Sequence, residues 1–325
     1  MKKNIAIIMG GYSSEFEISL KSGEVVYNNI LKEIYNVYRV HILKEKWVLI
    51  DDFNEEIQIN KHDFSVEING TNITFDCVFN AIHGNPGEDG TILAYFDLIG
   101  LKHTSAPFYQ MALTFNKRDT LSVVKQYGVK TAISYYLNKG ETINVEEIIE
   151  KVGLPCFVKP NNAGSSFGIS KVKQANEMVT AIEKAYKEDT QILIESFLDG
   201  IEVTVGVLEY ENKIIALPMT EIVTENEFFD YEAKYLGKSE EITPARISNE
   251  MHDKIEKLAI FVYKILNMKG FTRTEYIIVN NEPYFLEMNT VPGLTDASII
   301  PQQAAAAGIS LPALFDNAVK MALKY

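Results

Sequence analysis

Short apolar runs alternate with segments of helical period through the first part of this chain, and glycines or polar clusters close the runs. Residues 4–9 (NIAIIM) predict a strand that ends at Gly10-Gly11. Ser14-Glu15-Phe16-Glu17 then has the form of a capping box and predicts a helix through Val26. Strand, glycine turn and helix are the opening of an open α/β domain, in which ligands bind at strand ends. The glycines do not complete a dinucleotide fingerprint, so no nicotinamide site is expected. Residues 36–50 carry further strand patterns. Residues 75–82 (FDCVFNAI) are almost continuously apolar, as in a strand buried on both faces. They deliver the loop HGNPGEDG, residues 83–90, to the strand-end crevice, and a helix restarts over 91–98.

The second half changes character. One helix is expected over 108–127, with Asn116-Lys117 inside it, then a strand over 129–137 and a short helix over 144–152. Residues 156–160 form a strand carrying Lys159, and NNAGSSFG at 161–168 is a small-residue hairpin tip before a strand at 169–172. Backbone N–H groups of such a tip suit phosphate oxygens. The tip lacks Gly-Lys-Ser/Thr and opens no helix, which excludes a Walker-type site. A helix at 177–186 precedes a strand at 191–198, and Asp199-Gly200 followed by Glu202 has the composition of a hinge between lobes. Residues 201–209 and 213–219 alternate as antiparallel strands. The polar, aromatic-rich stretch 224–243 has the length of a lid or binding loop. Helices are expected over 252–266 and 311–323.

Between those last helices lie two strands, 272–279 and 283–289, joined by a short polar turn. Side chains alternate along a strand, so Arg273 and Glu275 share one face, and Glu287 and Asn289 share one face. If Glu275 pairs with Glu287, the four polar groups converge. Like charges directly opposite destabilise a sheet. Two carboxylates and an amide oxygen aimed at one spot therefore suit a hard divalent cation, and the alternative is a solvated hairpin face with unrelated charges. Glu15 is open in the same way: a carboxylate in a first helical turn is favourable by itself, and gains a functional meaning only with a substrate amine.

Bulk properties narrow the partners. The 325 residues suffice for two or three domains with cores of their own. The net charge of −13 argues against a nucleic-acid backbone as partner, although a few lysines aimed into a cleft can still hold phosphate. No apolar run approaches the roughly 20 residues of a spanning helix, and the N-terminal apolar run is too short for a signal peptide. Cys77 and Cys156 sit in apolar strand-like runs and are expected to be buried free thiols, as in the reducing cytoplasm.

Taken in order, GGYSSEFEISLKSG at 10–23, HGNPGEDG at 83–90, VKPNNAGSSFGISKV at 158–172, YEAKY at 231–235 and RTEYIIVNNEPYFLEMNTVPGLTDASIIP at 273–301 resemble the D-alanine–D-alanine ligases of the ATP-grasp superfamily. Each piece is weak alone; the likeness runs from the start of the chain through the last helix. It implies a mixed α/β and α+β fold: an N-terminal open α/β domain (1–112), a central lobe (113–197) and a C-terminal lobe with lid and metal site (198–325), the two lobes clamping the nucleotide. It implies that ATP phosphorylates the carboxylate of one D-alanine and that a second D-alanine attacks the acyl phosphate, supplying peptidoglycan precursor. Two magnesium or manganese ions would be held by Glu275, Glu287 and Asn289. Lys117, Lys159 and Lys234 would contact phosphates. Glu195 and Leu198 would hold the adenine, Phe197 would pack on it, and Glu202 would take the ribose hydroxyls. Glu15 would fix the first ammonium, which supplies the substrate amine left open above. Arg273 and the Gly293 N–H would receive the oxyanion, and Ser298 and the Ile299 N–H the second carboxylate. His83 would lie near the second substrate. Ser165 and Tyr235 would link the loop and lid to Glu15, and Tyr235 would favour D-alanine over D-lactate. A homodimer is the family's common state.

Departures accompany the likeness. Glu275 stands where the family has Asp, Leu93-Ala94 where it has Gln-Gly, and SAPFYQMALTFNK replaces a small-residue run before Lys117. Two other readings are a relative using D-lactate or D-serine as second substrate and an inactive nucleotide-binding relative.

Overall fold

The computed structural model describes residues 2–162, 164, 167–224 and 239–324. Its strands form three sheets.

The first sheet contains β1 (Lys3–Gly10), β2 (Tyr35–Ile42), β3 (Trp47–Ile50), β4 (Glu56–Asn60), β5 (Ser65–Ile68), β6 (Thr71–Ile73), β7 (Cys77–Asn80) and β8 (Lys102–His103), in the order β6-β5-β4-β3-β2-β1-β7-β8. Its centre is parallel: β1 pairs with β2 on one side and β7 on the other. Burial on both faces explains the unbroken apolar reading of β1 and β7, where Ile5 to Met9 and Cys77 to Phe79 are fully enclosed. The chain leaves β1 toward β2 through α1 (Phe16–Asn29) and returns to β1's other side only at β7. That reversal opens a crevice at the strand ends, and the loops after β1 and β7 carry Glu15 and His83 into it. The small strands β4 to β6 lacked a readable pattern in the sequence; they form an antiparallel extension that buries Ile59 and Val66 and alternates in exposure only along β4.

The helix expected over 108–127 is broken. The separate helix expected over 91–98 forms as α2 (Thr91–Ile99), whereas the broken segment gives α3 (Phe108–Phe115) and α4 (Lys117–Gln126), with Asn116 extended between them. The Asn116 side chain accepts the Asp119 N–H at 3.0 Å and caps the new helix. Lys117 thereby becomes the first helical residue and turns into the cleft.

The second sheet, β11-β10-β12-β9, uses β9 (Ser134–Asn138), β10 (Cys156–Pro160), β11 (Ser170–Val172) and β12 (Gln191–Ser196). α5 (Val145–Val152) and α6 (Met178–Ala185) pack on one side of it around Ile148, Val158 and Ile182. The expected strand at 129–137 shortens to β9, because Lys130 and Thr131 bind across to Phe285 of the third sheet. The third sheet runs β16-β15-β13-β17-β18, with β14 beside β13: β13 (Ile201–Tyr210), β14 (Lys213–Ala216), β15 (Thr220–Thr224), β16 (Ser239–Ile242), β17 (Thr272–Val279) and β18 (Glu282–Asn289). α7 (Asn249–Ile265) lies against it, and α8 (Ile299–Ala306) and α9 (Leu311–Lys324) close the chain. α8 was not legible in the sequence; it buries Gln303, which donates to the Thr204 carbonyl and accepts the Gly206 N–H. Cys77 and Cys156 are buried free thiols, and burial raises both pKa values. No helix among the described residues is long and apolar enough to cross a membrane.

Candidate active site

The register of β17 and β18 decides the chemistry. Glu275 pairs with Glu287 and Arg273 with Asn289, with a register shift immediately after Glu275. Residues directly opposite in an antiparallel ladder share a face, so the convergence expected from alternation is present. Glu275 is only 4% exposed, and its Oε1 accepts from Arg273 Nη2 at 2.7 Å. Glu287 meets the Lys117 Nζ at 3.2 Å. The Asn289 Oδ1 accepts the Val291 N–H at 3.0 Å, which fixes the direction of its amide.

Lys159 approaches the same group from the second sheet. Its Nζ lies 2.9 Å from Glu195 Oε2, and both side chains are nearly enclosed. Burial alone would lower the lysine's pKa, but Glu195, then Glu287 and Glu202, together hold it above the ordinary value. Glu195, Glu202 and Glu287 therefore gather around one ammonium at the junction of the second and third sheets. Beyond β12 the Phe197 N–H donates to the Pro155 carbonyl at 3.2 Å. The Phe197 ring lies 6.1 Å from Phe157, with Lys171 Nζ 3.9 Å from its centroid.

A cavity of about 300 Å3 opens on the other side of Glu287, lined by Glu15, His83, Arg273, Asn289, Gly293 and Ser298 among others. Its first wall is loop-built. The helix α1 begins at Phe16, and Glu15 caps it without a side-chain hydrogen bond, so the expected capping box does not form. Ser13 takes over locally: its Oγ accepts the Glu15 N–H at 3.2 Å and donates to the His83 carbonyl at 2.9 Å. The Glu15 carboxylate is thus left to face the cavity, 8% exposed. Gly164 presses on it from the hairpin tip; a Cβ there would stand 2.6 Å from Glu15 Oε2.

His83 is held on both ring nitrogens. Ser22 Oγ accepts the Leu294 N–H at 3.3 Å and lies 3.1 Å from His83 Nε2, while the ring also hydrogen-bonds the Val291 backbone. The hydroxyl proton then points at Nε2 and Nδ1–H at the Val291 carbonyl, the tautomer that satisfies the network. Burial lowers the pKa of His83 against the pull of Glu15, so the imidazole is neutral near pH 7. It ties α1 to the loop that carries Gly293. Glu88 is the second acid of this wall. It accepts the Gly84 N–H at 3.0 Å, and burial, then the charge of Glu15, raises its pKa to about 7.

The opposite wall is the start of α8. Ser298 caps the helix, and its Oγ bonds Thr295 Oγ1 at 2.7 Å. A Cβ on Gly293 would meet Ser298 Oγ at 2.7 Å, so only glycine lets the two segments approach. First-turn N–H groups lack intrahelical partners, and Ile299 offers one here.

Ser165, Lys234 and Tyr235 lie outside the described residues. Of the residues singled out from the sequence, Glu15, His83, Lys117, Arg273, Glu287, Asn289, Gly293, Ser298 and Ile299 line this cavity, Glu275 pairs beside them, Lys159, Glu195 and Glu202 meet at the sheet junction, and Phe197 and Leu198 follow β12. Sequence reasoning missed Ser22, Glu88, Glu241 and Gln302. Ser22 left a trace: with Ser19 and Val26 it forms the buried stripe of α1 at helical spacing, and a hydroxyl in such a stripe needs a partner.

The family model for the D-ala D-ala ligase N-terminus matches residues 4–106, and that for the D-ala D-ala ligase C-terminus matches residues 121–320. A D-alanine–D-alanine ligase of Flavobacterium johnsoniae is 66% identical over 321 residues, and one of Christiangramia forsetii is 57% identical over 323 residues; each alignment covers 99% of both chains. Among solved structures, the VanG D-Ala:D-Ser ligase of Enterococcus faecalis superposes with a TM-score of 0.87 at 30% identity, covering 99% of each chain. The D-alanine–D-alanine ligase of Bacillus anthracis complexed with ATP superposes with a TM-score of 0.81 at 25% identity, covering 99% of this chain and 98% of that one.

Proposed function

We propose the following division of labour for this chain, which belongs to the D-alanine–D-alanine ligase family and is an ATP-dependent ligase of ATP-grasp fold that joins two D-alanines. One observation carries the residue-level reading: Glu275 and Glu287 stand opposite each other, beside Arg273 and Asn289, in a cleft that Lys117 and Lys159 enter.

Glu275, Glu287 and Asn289 hold two magnesium or manganese ions, which when bound neutralise the triphosphate. The donor set supports this, being all oxygen, with two carboxylates directly opposite each other and an amide oxygen beside them. Glutamate at 275 offers the same carboxylate as aspartate on a longer stem. Lys117 and Lys159, with Lys234, bind the phosphates as mobile point charges. Glu195 and Leu198 hold the adenine, Phe197 covers it, and Glu202 takes the ribose.

In the cavity, Glu15 binds the ammonium of the first D-alanine, whose carboxylate takes the γ-phosphoryl group and releases ADP. Ser298 Oγ and the Ile299 N–H bind the carboxylate of the second D-alanine at a helix N-terminus. Its ammonium gives up a proton to solvent and the free amine attacks the acyl phosphate; a C–N bond forms, the C–O bond to phosphorus breaks, inorganic phosphate leaves, and the nitrogen's second proton goes to solvent. Arg273 and the Gly293 N–H stabilise the oxyanion on the way. His83 and Ser22 position that N–H rather than move protons. Ser165 and Tyr235 link loop and lid to Glu15, and Tyr235 favours D-alanine over D-lactate.

Domain boundaries at 1–112, 113–197 and 198–325 leave one sheet in each part, the first boundary falling within α3. We read the enzyme as a homodimer working in the cytoplasm, in keeping with its free thiols. ADP release from ATP with magnesium and D-alanine as the only amino acid tests the reading: D-alanine should stimulate it strongly, and Glu275→Ala should abolish the stimulation. An active Glu275→Ala enzyme would remove the metal assignment.

A further inference from the structure

Glu241 stands in the second-substrate half of the cavity, and the roles given above leave it unused. It lies on β16 opposite Ile222 of β15. Paired residues present their side chains on one face, and Ile222 packs on Ile299 at the start of α8. Glu241 therefore faces that helix N-terminus and lines the cavity with Arg273, Ser298 and Ile299. Its Oε2 accepts from Gln302 Nε2 at 3.0 Å, and the same amide donates to the Ala297 carbonyl at 2.8 Å, which fixes it. Burial raises the pKa of Glu241, against the Gln302 hydrogen bond and the Arg273 charge. A half-enclosed acid in such a place gains most from a cation brought by a ligand. The nearby guanidinium already holds Glu275 at 2.7 Å. A zwitterionic amino acid whose carboxylate sits on Ser298 and Ile299 carries its ammonium two bonds away, within this acid's reach.

We infer that Glu241 binds the ammonium of the acceptor D-alanine and makes the site choose an amine over a hydroxyl acceptor. This rests on the proposed seat of the acceptor carboxylate. Glu241→Gln keeps the shape and removes the charge. Loss of one charge-assisted hydrogen bond should raise the acceptor KM about ten- to a hundredfold, with the donor KM unchanged. It should also raise the ratio of D-alanyl-D-lactate to dipeptide when both acceptors compete. Hydroxylamine, a neutral amine, intercepts the acyl phosphate: its nitrogen bonds the carbonyl carbon, phosphate leaves, a proton goes to solvent, and D-alanine hydroxamate forms. That trapping should proceed at the wild-type rate in the variant, which a damaged fold would not allow. An acceptor KM within twofold of wild type, or hydroxamate formation falling in step with dipeptide formation, overturns the inference. Ser298→Ala separates the underlying reading: an unchanged acceptor KM there removes the carboxylate seat, and the inference with it, whereas a raised KM in Ser298→Ala with none in Glu241→Gln removes only the role of Glu241.

Discussion

Two acidic clusters of this molecule are built in opposite ways. Glu275 and Glu287 project from adjoining strands whose ladder sets their spacing. Glu15 and Glu88 belong to separate loops at the ends of β1 and β7, held by contacts such as Ser13 to His83 and Glu88 to Gly84. The ladder cluster is balanced by three cations, Arg273, Lys117 and Lys159, whereas in the loop cluster burial, and then the charge of Glu15, keeps a proton on Glu88 up to near neutral pH. A rigid sheet suits groups that must keep a fixed distance from each other. Loops suit groups that must receive a small substrate's ammonium.

The widest contrast comes from removing a cation. Arg273→Ala should lower kcat by about two to three orders of magnitude while circular dichroism reports an intact fold; an active variant would remove the oxyanion assignment. Lys159→Met leaves Glu195 buried without its partner, and should cost about 3–5 kcal/mol of stability by denaturant unfolding. Adding Glu195→Gln should restore most of that stability without restoring ATP affinity, because the lysine is still missing. A double variant as unstable as the single one would show that the ion pair is not the cause.

On the loop side the effect is a slope. Glu88 binds its proton more tightly folded, with a pKa of about 7, than unfolded, where the ordinary glutamate value is 4.5. The stability from that proton is complete below pH 4.5 and is lost as pH rises toward 7. Glu88→Gln should flatten this part of the stability profile, and an unchanged slope would place the titration elsewhere. The smallest effect is steric. Gly293→Ala pushes a methyl group toward Ser298 Oγ, and should raise the acceptor KM several-fold with a smaller change in thermal midpoint.

The same contrast explains what could be read beforehand. The hairpin was legible because strand alternation and one pairing register fix four side chains at once. Glu15 and His83 were singled out, but nothing local in either loop predicts that Ser22 would join them or that His83 would be locked as a neutral tautomer. The break at Asn116 was missed because the apolar period runs on through 108–127, although an Asn followed three residues later by Asp is a cap with an acidic first turn. α8 was missed because its buried face includes Gln303, a polar residue satisfied by strand groups 83 to 99 positions away. Glu241 is legible only once β15 and β16 are paired.

The ligase chemistry proposed here depends on the place where the strands β17 and β18 bring carboxylates together. Crystals grown with manganese and a non-hydrolysable ATP analogue would test it through anomalous difference density. The account predicts metal peaks within about 2.5 Å of oxygens from Glu275, Glu287 and Asn289. Manganese bound to the nucleotide with none of these three side chains in contact would contradict it.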